Sequence, residues 1–249
     1  MKILVCISNV PDTTTKIKLN GDQKSVDMTG VQWVINPWDE LALTRAMELK
    51  EQSGGKIDKI TVITVGEKTV EPTLRKALAV GADNAVRIDT VPTDDYYVAA
   101  QIAEYLKKEP YELIITGIES SDYNGSAVGG MLAEFLDAPS ISSVSNISFE
   151  GDAFVMKKAI DGGNETVTAD TPMVAVVQKG IAIDPRIPAM RGIMMARKKP
   201  LLVEAPVEIE ALTEFVNFEM PKPKPPVKMV DAENVAELFR LLHEEAKVL

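Results

Sequence analysis

A chain of 249 residues, 45% apolar and 26% charged, is long enough to bury a full hydrophobic core and sits near average globular composition. Its 27 Lys and Arg against 37 Asp and Glu leave a formal net charge of −10, which repels polyanions and argues against nucleic acid as a ligand. A single cysteine, Cys6, and a single histidine, His243, exclude an internal disulfide and a cysteine-rich metal site.

The chain opens on "MKILVCI", which alternates like a first strand rather than like a signal or transit peptide. No apolar run approaches the roughly 18 to 20 residues of a membrane span. A soluble, cytoplasmic protein with no membrane insertion is expected, mitochondrial only if a targeting segment has been removed. Val- and Ile-rich runs at 2–8, 59–65, 84–89 and 111–116 alternate with helix patterns at 37–52, 70–80, 94–107 and 125–137. That alternation predicts βαβ units on a doubly wound, mostly parallel α/β sheet. In "NPWDE", Asn36 is placed to cap a helix, Pro37 to open it, and Asp39 and Glu40 to face the positive end of its dipole.

From about residue 145 the pattern changes. "VSNISFE", "AFVMKKAI", "ETVTAD" and "MVAVVQ", separated by "GD", "DGGN" and "TP", predict short antiparallel strands joined by tight turns. The spacing divides the chain into an α/β domain over 1–205 and an extended arm over 206–249. In the arm a Pro- and Lys-rich spacer, "MPKPKPPVK", leads to an amphipathic helix with Val235, Leu238, Leu242 and Leu249 on one face behind Asp231 as cap.

Two stretches invite a functional reading. "GIESSDYNGSAV", Gly117 to Val128, follows an apolar strand and precedes a helix, and it offers small and hydroxylated residues with no cation. Ligands of open α/β sheets sit there, where backbone N–H groups and a helix N-terminus attract phosphate. The stretch matches neither the Walker A pattern nor the dinucleotide fingerprint. An ordinary polar turn, with Asp122 or Asn124 capping the helix, remains the other reading. "IDPRIPAMRGIMMARKKP", 183–200, sets Met190, Met194 and Met195 among basic residues. It reads either as a pliant docking surface or as methionines packed inward under a basic rim. His243 lies on the terminal helix and Cys6 in an apolar strand, so neither is placed for nucleophilic catalysis. The chain reads as a binder and not an enzyme.

The blocks "LVCISNVPD", "INPWDELALTRAMELKE", "LRKALAVGAD", the 117–131 loop, "AIDGGNETVTADTPMVAVV" and "DPRIPAMRGIMMARKKP", in this order, resemble the small (beta) subunit of electron transfer flavoproteins along nearly the whole chain. The resemblance implies a Rossmann-like subunit of a heterodimer. Its large (alpha) subunit would hold the redox-active FAD, and this one would help enclose that flavin and carry a structural AMP. By the same resemblance the AMP site falls on Cys6, on Asn36, Pro37, Trp38 and Asp39, on Val65, and on Gly117, Ile118, Glu119, Ser120, Ser121, Asp122, Tyr123, Asn124, Gly125, Ser126, Ala127 and Val128, with no metal. Met190, Arg191, Ile193 and Met194 match the loop that docks acyl-CoA or other flavin dehydrogenases, a membrane quinone reductase being the further redox partner. The arm matches the segment that embraces the alpha subunit. Ile118, Glu119, Ser8 and Asn9 stand where relatives usually carry basic residues or Gln. A second FAD in place of AMP, as in the electron-bifurcating branch, is the alternative, and an adenine-nucleotide hydrolase is a third reading from a different class.

Overall fold

The computed structural model describes residues 1–249. The chain forms β1 (Lys2–Cys6), β2 (Asn9–Pro11), β3 (Trp33–Ile35), α1 (Pro37–Gln52), β4 (Lys59–Val65), α2 (Glu71–Val80), β5 (Asn84–Ile88), α3 (Asp95–Lys108), β6 (Leu113–Gly117) and α4 (Val128–Phe135). It continues with β7 (Ser140–Glu150), β8 (Ala153–Ile160), β9 (Gly163–Thr168), β10 (Met173–Val177), α5 (Met190–Ala196), β11 (Leu201–Glu204) and α6 (Val235–Arg240). Nine strands make one sheet in the order β11-β5-β4-β1-β6-β10-β7-β8-β9, and β2 pairs with β3 in a separate antiparallel ribbon.

β1 shows how the sequence builds the layers. Ile3, Val5 and Ile7 face the larger core, which contains residues of α1, α2 and α5, while Leu4 and Cys6 face the smaller one, which contains residues of α3 and α4. A strand covered on both faces has no polar side, which is why the runs read as continuously apolar. The chain crosses β1–α1–β4–α2–β5 in one direction, then returns through α3 to β6 on the other side of β1. This reversal opens a crevice at the carboxyl ends of β1 and β6.

The strands after residue 140 differ from the antiparallel meander expected of them. β7, β8 and β9 are antiparallel, but β10 enters the main sheet between β6 and β7 and runs parallel to both. All five residues of "MVAVV" are buried, so the segment satisfies a central strand rather than a half-exposed edge. The tail also differs in detail. Asn234, not Asp231, caps α6 by accepting the Glu237 N–H at 3.2 Å, and a turn of π-helix over Leu241–Ala246 completes it.

Lys199 closes the C-terminal end of α2. Its ammonium donates to the carbonyls of Leu78, Gly81 and Ala82 at 3.0, 3.1 and 2.6 Å, satisfying acceptors that a helix end leaves open. Arg75 answers from α2 with hydrogen bonds to the Ala196 and Lys199 carbonyls, both at 2.8 Å. Lys199→Met removes three donors and is expected to lower the unfolding free energy by about 1 to 3 kcal/mol. Denaturant titration checks this, and an unchanged midpoint would contradict it.

Candidate functional site

The crevice at the carboxyl ends of β1 and β6 is bounded by Ile7–Ser8, by the start of α1 and by the loop after Gly117. Asn36 does not cap α1 as its position suggested. Its amide instead crosses the crevice, where Nδ2 donates to the Glu119 carbonyl at 2.8 Å and Oδ1 accepts the Ser121 N–H at 3.1 Å. Asp39 is turned the same way. Oδ2 accepts the Ser8 N–H at 2.8 Å and Oδ1 the Gly117 N–H at 3.1 Å, so one carboxylate ties the loop after β1 to the end of β6. A Cβ on residue 117 would lie 2.3 Å from Asp39 Oδ1 and 2.8 Å from Trp38 Cβ, so only glycine allows this approach. The pair Asn36 and Asp39 thus sets the width of the crevice.

Asp39 is 3% exposed and has no cation against it. Burial pushes its carboxyl up to about 7, against the pull of the hydrogen bonds from Ser8 and Gly117. Cys6 lies at the carboxyl end of β1, buried, and burial with the nearby Asp39 carboxylate raises its thiol far above the range of a reactive cysteine. Cys6 and Val65 lie at the carboxyl ends of the adjacent strands β1 and β4, and both are buried. Arg87, whose side chain is 4% exposed, donates to the Gly66 carbonyl at 3.0 Å and is flanked by Glu71 at 3.3 Å and by Asp89, so its charge is already balanced.

The loop from Gly117 to Ala127 folds on itself through the Asn124 N–H bond to the Ser120 carbonyl, at 2.9 Å, and passes through left-handed backbone at Asn124 and Ser126. α4 then begins at Val128, later than the 125 expected. Neither Asp122 nor Asn124 caps it: Asp122 Oδ1 accepts the Tyr123 N–H at 2.9 Å, and Ala127 at the cap position has no side chain to offer. The first N–H groups of α4 therefore have no side-chain acceptor at the positive end of the helix dipole. Beneath them the Thr116 hydroxyl is buried and makes no hydrogen bond. The loop's charged side chains are Glu119 and Asp122, and no group of acidic, Cys or His residues is disposed to hold a metal. An anion here would be held by backbone dipoles and hydroxyls alone, an arrangement suited to a monophosphate and ill suited to a polyphosphate with its metal.

The electron transfer flavoprotein domain family matches residues 24–208 of this chain. A protein of Bacillus subtilis named electron transfer flavoprotein subunit beta is 33% identical over the whole of both chains. The chain belongs to the electron transfer flavoprotein family. A Bradyrhizobium diazoefficiens protein named electron transfer flavoprotein subunit beta is 32% identical over the whole of both chains, and a human protein of the same name is 29% identical over 89% of each. The mostly parallel α/β fold agrees with the Rossmann-like expectation, and the beta subunits are the relatives to which this electron transfer flavoprotein chain is similar.

The methionine loop is turned outward. Met190, Met194 and Met195 are 75%, 66% and 49% exposed, so the inward-packed reading fails. Arg191 and Ile193 lie on the same short helix, α5. Its pose is fixed from two sides. Arg186 donates its N–H to Thr44 Oγ1 at 2.9 Å and pairs with Glu51 at 2.7 Å, anchoring the loop on α1. Gly192 brings α5 so close to α2 that a Cβ there would lie 2.5 Å from the Ala79 carbonyl oxygen. The groove between α2 and α5, lined by Arg75, Lys76, Pro188, Ile193 and Arg197, lies apart from the crevice. Sequence reasoning missed Thr44, Glu51 and Thr116, and it marked Ser8 only as a departure from the relatives. A threonine ending the apolar run "LIIT" was the one signal available for Thr116.

Proposed function

We propose that this chain is the small subunit of a heterodimeric electron carrier and performs no covalent chemistry of its own. The 117–128 loop and the N-terminus of α4 hold the phosphate of a structural AMP, with Cys6, Val65 and the Asn36 to Asp39 turn shaping the nucleotide's seat. The observation that carries this reading is the uncapped start of α4 above the unpartnered Thr116 hydroxyl, placed at the switch point of the sheet. The residues fit the group: the loop carries hydroxyls, the start of α4 carries uncapped amides, and the Glu119 and Asp122 charges favour one phosphate over several.

An FAD held mainly by the large subunit supplies the electron chemistry when bound. This chain's part is to exclude water from that flavin's side of the interface and to present α5, with Met190 at its exposed tip, to flavin dehydrogenases. Methionine suits a surface that meets several partners. No helix is long and apolar enough to cross a membrane.

The test is to co-express the chain with its large subunit, denature the purified complex, and identify and count the released nucleotides. One FAD and one AMP per heterodimer is the expected result. Two FADs and no AMP would replace the AMP assignment with that of the bifurcating branch. Magnesium-dependent nucleotide turnover by the complex would overturn the carrier reading.

A further inference from the structure

The segment that follows β11 lies along the body of the domain before it departs as an arm. Gln101 on α3, 2% exposed, donates to the Val207 carbonyl at 2.7 Å and accepts the Val207 N–H at 3.0 Å. Asp94 caps α3 with Oδ1, at 2.7 Å from the Tyr97 N–H. Its Oδ2 accepts three more hydrogen bonds, from the N–H groups of Leu212 and Thr213 at 2.7 and 2.8 Å and from the Thr213 hydroxyl at 3.2 Å. The Phe218 N–H reaches the Gln23 carbonyl at 2.8 Å. Between these fixed points Phe215 stacks on Tyr123 of the loop, centroid to centroid 4.8 Å at 26°, and Phe218 stacks on Phe215 at 5.5 Å and 27°.

The same turn of α3 touches the loop from the other side. A Cβ on residue 125 would lie 2.3 Å from Asp95 Oδ2, so the Asp95 carboxylate rests against Gly125. The outer half of the loop is thereby held between the start of α3 and the aromatic stack. Its own tether to the crevice ends at Ser121, the last of its residues that Asn36 reaches. Residues 122–126 are exposed, and two of them adopt left-handed backbone that a free non-glycine residue disfavours. Within the loop that shape is supported by the Asn124 N–H bond to the Ser120 carbonyl and by the Ser126 hydroxyl donating to Glu119 at 3.3 Å, and the stack adds the hold from outside.

We propose that residues 205–218 form a strap that fixes the 117–128 loop in its ligand-ready shape, with Tyr123 and Phe215 as positioning residues. The proposal rests on the reading of that loop as a nucleotide site, and the experiment separates the two. The full-length chain, co-expressed with its large subunit, is prepared as wild type, Phe215→Ala and Phe215→Tyr. Amide hydrogen exchange of residues 117–128 is measured, together with AMP affinity by equilibrium dialysis after nucleotide removal. Phe215→Ala is expected to speed exchange across the loop and to weaken AMP about three- to ten-fold, in line with the worth of an aromatic pair. Phe215→Tyr, which keeps the aromatic face, restores both. Unchanged exchange in Phe215→Ala overturns the strap, and faster exchange with unchanged affinity overturns the positioning role. Changed exchange in a complex whose wild type binds no AMP overturns the nucleotide reading while the strap stands. If Phe215→Ala does not assemble, Phe218→Ala removes the ring that backs Phe215, outside the loop and with the Asp94 and Gln101 hydrogen bonds intact, and is read the same way.

Discussion

Asp39→Ala is expected to lower the unfolding free energy by about 2 to 4 kcal/mol and to abolish the AMP binding proposed for the crevice. The alanine leaves the Ser8 and Gly117 N–H groups without their acceptor in a place that is 3% exposed. Each orphaned donor costs about 1 to 3 kcal/mol, partly offset because a desolvated carboxylate is removed as well. The functional loss is the larger effect, because the same two bonds set how far the loop after β1 stands from the loop after β6. Asp39→Asn separates charge from shape. In the wild type the folded-state value of about 7 lies above the ordinary 3.8. The stability contributed by the neutral carboxyl is therefore full below about pH 4 and is lost as pH rises through 7. Other clearly shifted carboxylates, among them Asp12, Asp27, Asp58 and Glu109, are lowered and act below that window. Asp95 is raised, by burial and by Asp94 and Asp122, and is present in both proteins, so it cancels in the comparison. Denaturation between pH 5 and pH 8 should show wild-type stability falling with pH more steeply than that of Asp39→Asn, and parallel curves would refute the assignment.

What the sequence told and withheld about this site follows from the range of each interaction. The position of the loop was legible because it depends on neighbours: an apolar run ends at Thr116, small residues follow, and a helix starts. The roles of Asn36 and Asp39 were not. Both lie at textual positions where a cap or a dipole contact is the local choice, yet their partners lie 83 and 78 residues away, beyond the reach of any local pattern. β10 was misread for the opposite reason. Its composition, apolar throughout, already favoured a central parallel strand, but it was grouped with the hairpins that precede it. The strap was invisible altogether, since the Asp94 to Thr213 bonds span 119 residues and Phe215 sits in a segment with no periodicity. The outward turn of Met190 and Met194 was one of two readings that composition allowed. The structure decides it, because α1 and α2 hold α5 from beneath and leave nothing above it.

A chain that ends at Phe218 is expected to melt like the full-length protein and to lose the large subunit. Beyond that residue the arm makes no hydrogen bond to the body: Lys228 pairs with Glu245, and Arg240 with Glu237 and Glu244, all within the arm itself. α6 has no buried residue, and Val227, Met229, Val235 and Phe239 are 82%, 88%, 68% and 60% exposed. An arm so apolar and so poorly attached gains nothing from its own domain, and the proline spacer carries it clear of that domain. On α6 itself Val235, Leu238 and Phe239 are exposed together along one side, which is what a helix offers to a groove on another protein. If they are the anchors of the subunit interface, their joint removal should raise the dissociation constant of the heterodimer at least about 100-fold. The single substitution Phe239→Glu, which leaves the arm in place, should weaken it by about ten-fold or more. Co-purification of the large subunit reads the first, titration calorimetry the second. A truncated chain that still assembles with full affinity would move the interface from the arm to the body of the domain, where the crevice and α5 would have to share it.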